Sequence, residues 1–179
     1  QALVDKMLDM AKVTAKDFLI DLGSGDGRTV ISAAKRGAKA LGIEYNPDLV
    51  EFSKRAAVKA GVSERTSFVK EDFFKTDLSQ AQVISMFLLS TLNRRLRPKL
   101  LALKPGTRIV SNTFDLGEWQ PEQTATLPRC DTWCKAHLWI VPANINGSWK
   151  LANGELTVTQ TFQVITGTLK VDTSLNVIN

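Results

Sequence analysis

Apolar residues recur along this chain in two rhythms, and the rhythm changes about two thirds of the way along. Leu3, Met7 and Met10 stand at helical spacing with Asp and Lys between them, which predicts an amphipathic helix over residues 1–12. Phe18-Leu19-Ile20 then forms a short apolar strand that runs into the turn Asp21-Leu22-Gly23-Ser24-Gly25-Asp26-Gly27-Arg28. A helix over 29–36 follows, with Val30, Ile31 and Ala34 inward and Gly37 as its stop. Residues 39–44 read as a second strand ending in Glu44, and Asn46-Pro47 opens a helix whose face is Leu49, Phe52, Ala56 and Ala60. Further strands are predicted over 67–70, 81–88 and 107–114. Between the last two lies a helix capped by Ser90, carrying Leu92, Leu96, Leu100 and Leu103 and broken or kinked at Pro98.

Strand alternates with helix up to Phe114, which means a parallel sheet with helices on both faces. Right-handed crossovers make it a doubly wound, Rossmann-like α/β fold. Residues 115–134 are polar and turn-rich. Alternating segments at 137–141, 148–151 and 155–170 read as antiparallel hairpins with turns at Asn146-Gly147 and Asn153-Gly154. The division expected is a core over 1–134 and a β extension over 135–179 that completes or extends the sheet of the same domain.

At 179 residues, with 44% apolar and 23% charged residues, the composition is that of an ordinary globular domain and excludes disorder, collagen and coiled coil. The longest apolar stretch, Val83 to Leu89, is interrupted by Ser85 and far too short to span a bilayer. Residues 1–114 hold 19 Lys and Arg against 12 acids, the remainder 4 against 6. Most of these cations are scattered among acids; only Arg94, Arg95, Arg97 and Lys99 cluster, so a nucleic-acid partner is not expected. Cys130, Cys134 and His137 make a poor metal cage, and no metal site is expected. The cysteines are read as free thiols by default, although their spacing also admits a local disulfide. Gln1 is not a natural start, so any export signal would lie upstream, and the default compartment is the cytoplasm.

The glycine turn carries the chemistry. Gly23, Gly25 and Gly27 let backbone amides approach a ligand at a helix start. The spacing is G-x-G-x-G, not the dinucleotide G-x-G-x-x-G, and Asp26 inside it would repel a pyrophosphate by roughly 1 kcal/mol or more. A nucleoside bearing an amino acid fits better, with Asp21 or Asp26 facing its ammonium and sulfonium. Glu44, at the end of the second strand, is placed for ribose hydroxyls, and Asp72, at the end of the third, for an adenine amino group. Tyr45 or Phe73 would cover the base. Arg28 is read as bonding nearby carbonyls at the helix start.

These residues resemble the class I S-adenosylmethionine-dependent methyltransferases over 18–114, on Phe18–Arg28, Gly42–Pro47 and Glu71-Asp72-Phe73. The D-x-G-S-G-D-G-R form is similar to the group that includes the ATP synthase c-subunit lysine methyltransferases and their bacterial relatives. The latter share a tail like Leu138–Ala143 followed by a Gly-x-Trp strand. The resemblance implies S-adenosylmethionine as methyl donor, S-adenosylhomocysteine as product, and protein lysine as acceptor. The donor-binding set is Asp21, Gly23, Ser24, Gly25, Asp26, Gly27, Glu44, Tyr45, Asn46, Asp72 and Phe73. Strand four should supply the acceptor pocket through Phe87, Leu89, Ser90 and Asn93; no Asn/Asp-Pro-Pro-Tyr and no Pro-Cys stands there. Where that family has a proline, this chain has Leu88-Leu89-Ser90. A small-molecule acceptor, with the tryptophan-rich tail as a wall, and a non-catalytic donor-binding module are the alternatives.

Overall fold

The computed structural model describes residues 1–171, so the part of the expected β extension beyond them lies outside the described residues. Helix α1 (Ala2–Met10) precedes strand β1 (Phe18–Leu22), helix α2 (Arg28–Lys35), strand β2 (Lys39–Glu44) and helix α3 (Pro47–Lys59). Strands β3 (Thr66–Lys70) and β4 (Val83–Met86), helix α4 (Ser90–Leu101) and strand β5 (Arg108–Asn112) complete the alternating part. Then come β6 (Gln123–Thr126) and β7 (Lys135–Ile140), followed by β8 (Gly147–Leu151), β9 (Gly154–Thr161) and β10 (Val164–Val171).

The main sheet has the order β3-β2-β1-β4-β5-β7-β6. The first five strands are parallel, and β7 is antiparallel to both β5 and β6. The order reverses between β1 and β4, where an open α/β sheet leaves a crevice for ligands at its carboxyl ends. Leu19, Val83, Val110 and Leu138 of the sheet share one core cluster with Met7 and Leu8 of α1, Val30 and Ala33 of α2, and Val50 and Ala57 of α3.

The chain divides into two units, Gln1–Val141 and the residues from Pro142 on. Lys135–Ile140, the first segment of the expected extension, is a strand of the main sheet, paired antiparallel along β5. In the second unit β8, β9 and β10 form a separate antiparallel sheet. Its first hairpin pairs Leu151 with Gly154, so the two loop residues are Ala152 and Asn153, and Gly154 already belongs to the strand.

Several local expectations are corrected. Strand β6 lies in the stretch read as loop; its Gln-Thr-Ala-Thr has no apolar alternation and is ordered by pairing with β7. Helix α3 buries Val50, Ser53 and Ala57, one position round from the apolar stripe read from the sequence, and Phe52 is half exposed. Helix α4 continues through Pro98, with its proline ring on the exposed side, and Leu89 rather than Ser90 stands at its cap without a side-chain bond. Cys130 and Cys134 are joined in a disulfide, not free.

Trp119 and Trp139 are fully buried, and the Trp139 indole N–H donates to the Trp119 carbonyl at 2.7 Å. His137 is held between strands: its Nε2 donates to the Thr113 carbonyl at 3.1 Å and its Nδ1 accepts from Thr124 at 2.9 Å. Burial lowers its pKa. Among the described residues no group of three or more His, Cys, Asp or Glu could hold a metal ion, and no helix is long and apolar enough to cross a membrane.

Candidate active site

A cavity of about 740 Å³ opens at the carboxyl ends of β1 and β4, a size that suits a small-molecule ligand. Asp21 and the turn Gly23–Asp26 form one side of it. Leu3, Val4 and Met7 of α1 form another. Met86 and Phe87 at the end of β4, Asn112 at the end of β5 and the loop 127–133 form the rest.

The three glycines of the turn have three different surroundings. A Cβ on Gly23 would come within 2.9 Å of Leu88, and one on Gly27 within 2.8 Å of Phe68 and Ser53. One on Gly25, at φ +53°, would meet no protein atom within 4 Å. Only Gly25 therefore leaves open space where a ligand can come against the backbone; Gly23 and Gly27 serve packing. Gly42, which opens the Gly42–Pro47 segment, is likewise needed for packing, since its Cβ would lie 2.6 Å from Ser24 Oγ and Phe68.

The turn is fixed from both sides. Ser53 Oγ of α3 donates to the Gly25 carbonyl at 3.0 Å, which explains a polar residue on the buried stripe of that helix. Glu44 at the end of β2 accepts the Gly25 N–H at 2.9 Å, and its other oxygen accepts the N–H groups of Tyr45 and Asn46. A carboxylate offers about four acceptor positions, so one remains for a ligand hydroxyl. Asn46 caps α3 by accepting from the Asp48 N–H at 2.9 Å.

Asp21 lies under the turn, 5% exposed, and accepts a 2.6 Å bond from Ser85 Oγ. The parallel register sets Asp21 of β1 beside Ser85 of β4, which is why the two meet. Burial pushes the Asp21 carboxyl up to about 7; Ser85 and Thr29 pull against that by hydrogen bonding. Asp26 turns to Arg28 instead of standing open: the guanidinium binds it at 2.5 Å and holds its pKa below the usual carboxylate range. Arg28 thus bonds a carboxylate rather than the carbonyls expected.

Glu44, Tyr45, Asn46, Asp72 and Phe73 sit outside the cavity walls, at the ends of β2 and β3. Tyr45 is 76% exposed. Asp72 accepts the Phe74 N–H at 2.9 Å, and Phe73 packs on Phe74 with centroids 4.8 Å apart. Lys99 of α4 donates to the carbonyls of Phe73, Phe74 and Thr76, which fixes this loop. Arg95 lies over the Phe74 ring at 4.3 Å, and Arg97 bonds the Leu116 carbonyl at 3.0 Å. Three members of the basic cluster read from the sequence, Arg95, Arg97 and Lys99, are thus engaged in holding loops.

Of the acceptor candidates, only Phe87 lines the cavity. Leu89 is exposed and Ser90 lies off the cavity walls. Asn93 is fully buried and donates to the carbonyls of Phe114 and Asp115 at 3.1 Å, so it pins the segment after β5. The sequence reading missed Ser85, Ser53, Thr29, Asn112 and the wall made by α1. Ser85 had one visible signal, a serine inside an apolar strand; Ser53 had none, because the stripe read for its helix lay one position away.

The residues present fit a donor that is part cation and part nucleoside. The buried carboxylate of Asp21 and Ser24, whose buried Oγ is unpaired, line the cavity with Gly25, and Glu44, which accepts the Gly25 N–H from outside the cavity walls, keeps one acceptor position.

Residues 21–123 match the family described as the ANTKMT methyltransferase domain. A protein-lysine N-methyltransferase of Saccharolobus islandicus is 44% identical over 126 residues, 69% of this chain and 78% of that protein. The ATP synthase c-subunit lysine N-methyltransferase of Caenorhabditis elegans is 39% identical over 58% of this chain, which spans 54% of that protein. Among solved structures, an RNA methyltransferase from Salinibacter ruber in complex with S-adenosylhomocysteine superposes with a TM-score of 0.76 at 42% identity, over 81% of this chain and 94% of that one. The chain belongs to the ANTKMT methyltransferase domain family, and its methyl donor is S-adenosylmethionine.

Proposed function

We propose that the protein N-methylates lysine side chains of a protein substrate. The observation that carries this is the shape of the cavity: one side has the donor features Asp21 and Gly25, and another is apolar, with Met86, Phe87, Leu127 and Trp133. An alkylamine stem lies well against such a wall, and low polarity around an ammonium favours its loss of a proton. The names of the similar archaeal and animal proteins support the same acceptor.

When bound, S-adenosylmethionine would supply an electrophilic methyl group to a neutral lysine nitrogen, the C–N bond forming as the C–S bond breaks and its electron pair stays on sulfur. The methylated ammonium then releases one proton to solvent. The chain's own residues bind, orient and exclude water. Asp21 in its ionised form, with Ser85 holding one oxygen, faces the positive end of the donor. The Gly25 backbone and Ser24 set its depth, Glu44 takes a ribose hydroxyl, and Tyr45 and Phe73 flank the base. Asp72 is assigned to the adenine amino group, with the oxygen that Phe74 leaves open. Alignment of nucleophile and methyl group inside a closed wall supplies the acceleration.

The name of the Salinibacter ruber protein favours RNA as a second acceptor to be tested. Against it stand the engaged side chains Arg95, Arg97 and Lys99. The deciding experiment incubates the protein with methyl-labelled donor and a lysate of the source organism, with Asp21→Ala as control. The label is then divided among protein, RNA and soluble small molecules. Label in protein, recovered as methyl-lysine on hydrolysis, is the expected result. Label confined to RNA or to small molecules overturns the lysine reading.

A further inference from the structure

Three aromatic rings from separate parts of the chain meet beside the cavity. Phe87 follows β4, Phe114 follows β5, and Trp133 stands in the loop between β6 and β7. Their centroids lie 6.0 Å (Phe87–Phe114), 5.6 Å (Phe87–Trp133) and 5.3 Å (Phe114–Trp133) apart. Phe87 and Trp133 line the cavity and are still 47% and 51% exposed. Large aromatic side chains left half bare in the wall of a donor site offer what a lysine needs: apolar surface for four methylenes, and ring faces that attract an ammonium.

Trp133 is the ring that local structure does not hold. It lies at φ +57°, as Arg129 does at φ +54° in the same loop, a conformation that costs an L residue roughly 1–2 kcal/mol. The loop is closed by the Leu127 N–H bond to the Cys134 carbonyl at 2.9 Å and by the Cys130–Cys134 disulfide, whose Cys130 also lines the cavity.

We propose that Phe87, Phe114 and Trp133 form the wall against which the acceptor lysine lies, and that the Cys130–Cys134 disulfide, by holding Trp133 in that wall, makes acceptor binding depend on the thiol–disulfide state. The inference rests on the lysine reading above. Reduction by a dithiol breaks the Cys130–Cys134 bond and leaves two thiols, while the dithiol loses two electrons and two protons and closes its own disulfide. The freed loop then lets Trp133 leave the wall, and the donor side, built on β1, β2 and α3, stays in place.

The test uses methyl transfer to poly-L-lysine and S-adenosylhomocysteine binding by calorimetry, on the wild type, on Trp133→Ala, Trp133→Phe and the double Cys130→Ser/Cys134→Ser variant, and on the wild type treated with dithiothreitol. Trp133→Ala should raise KM for poly-L-lysine about tenfold, and the double serine variant and the reduced wild type by about threefold or more. Trp133→Phe should stay within about threefold, and S-adenosylhomocysteine affinity within about twofold throughout, which also shows that each variant is folded. An unchanged KM in Trp133→Ala overturns the aromatic wall. An unchanged KM after reduction and in the double variant overturns the disulfide's role. A parallel loss of S-adenosylhomocysteine binding assigns the loop to the donor and overturns both. A wild type that binds S-adenosylhomocysteine yet labels no lysine defeats the lysine reading itself.

Discussion

Ser85 Oγ donates a 2.6 Å hydrogen bond to the carboxylate of Asp21, across the β1–β4 pair at which the strand order reverses. The bond fixes one oxygen of a carboxylate that burial has pushed up to about 7. A group in this state is a sensor of both pH and donor charge.

Burial raises the Asp21 pKa above its ordinary value of 3.8 to about 7, so the folded apo protein holds a proton there that the unfolded chain has already released. Stability from this group is therefore full below about pH 4 and is lost as pH rises through about 7. Asp21→Asn should stabilise the apo protein at pH 8 by on the order of 2–4 kcal/mol, with the gap narrowing as pH falls below about 7 and closing only near pH 4, as thermal melts across pH will show. Binding of the cationic donor needs the ionised form, so donor affinity should rise between pH 6 and 8 in the wild type and lose that slope in Asp21→Asn. Calorimetric titration at several pH values measures it.

Gly25 and Gly27 should fail in different ways. Gly25→Ala places its Cβ in the open cavity, so S-adenosylhomocysteine affinity should drop about tenfold or more, with a stability loss of only about 1 kcal/mol from its φ of +53°. Gly27→Ala drives its Cβ to 2.8 Å from Phe68 and Ser53 and should cost about 2–4 kcal/mol of stability. Denaturant melts and ligand titrations on both variants separate the two.

Tyr45, which follows β2 and stands outside the cavity walls, is 76% exposed. Tyr45→Ala should leave the melting temperature unchanged and weaken S-adenosylhomocysteine binding by roughly 1 kcal/mol, the worth of one stacked ring. An unchanged affinity would remove Tyr45 from the donor site.

Lys99 donates to three backbone carbonyls of the loop after β3. Lys99→Met keeps the stem and leaves those acceptors without their donor, so it should destabilise the fold by about 1–3 kcal/mol. RNA binding in a filter assay should not change with it, because this ammonium is already occupied.

Much of the site follows from local sequence because its parts are local. A strand, a glycine turn and a helix start are contiguous, and Glu44 and Asp72 fall at the ends of short apolar strands that the flanking turns mark out. The alternation of strands and helices sets a parallel sheet by connection length alone. What the sequence could not contain is what arrives from elsewhere in the chain. Ser85 meets Asp21 only through a register between strands 64 residues apart, and Ser53 reaches Gly25 only once α3 has packed. Asn93 reads as a pocket residue until the segment after β5 settles on it, and Arg97 and Lys99 read as a basic patch until carbonyls from two loops close around them. Strand β6 is ordered by its neighbour and not by its own pattern. The sequence by itself determined the elements and the donor-side chemistry, because short-range sterics and spacing act within a few residues; the tertiary structure alone decided which polar groups are paired, which glycine faces open space and which aromatic rings share a wall, because those depend on contacts that only the packed sheet brings together.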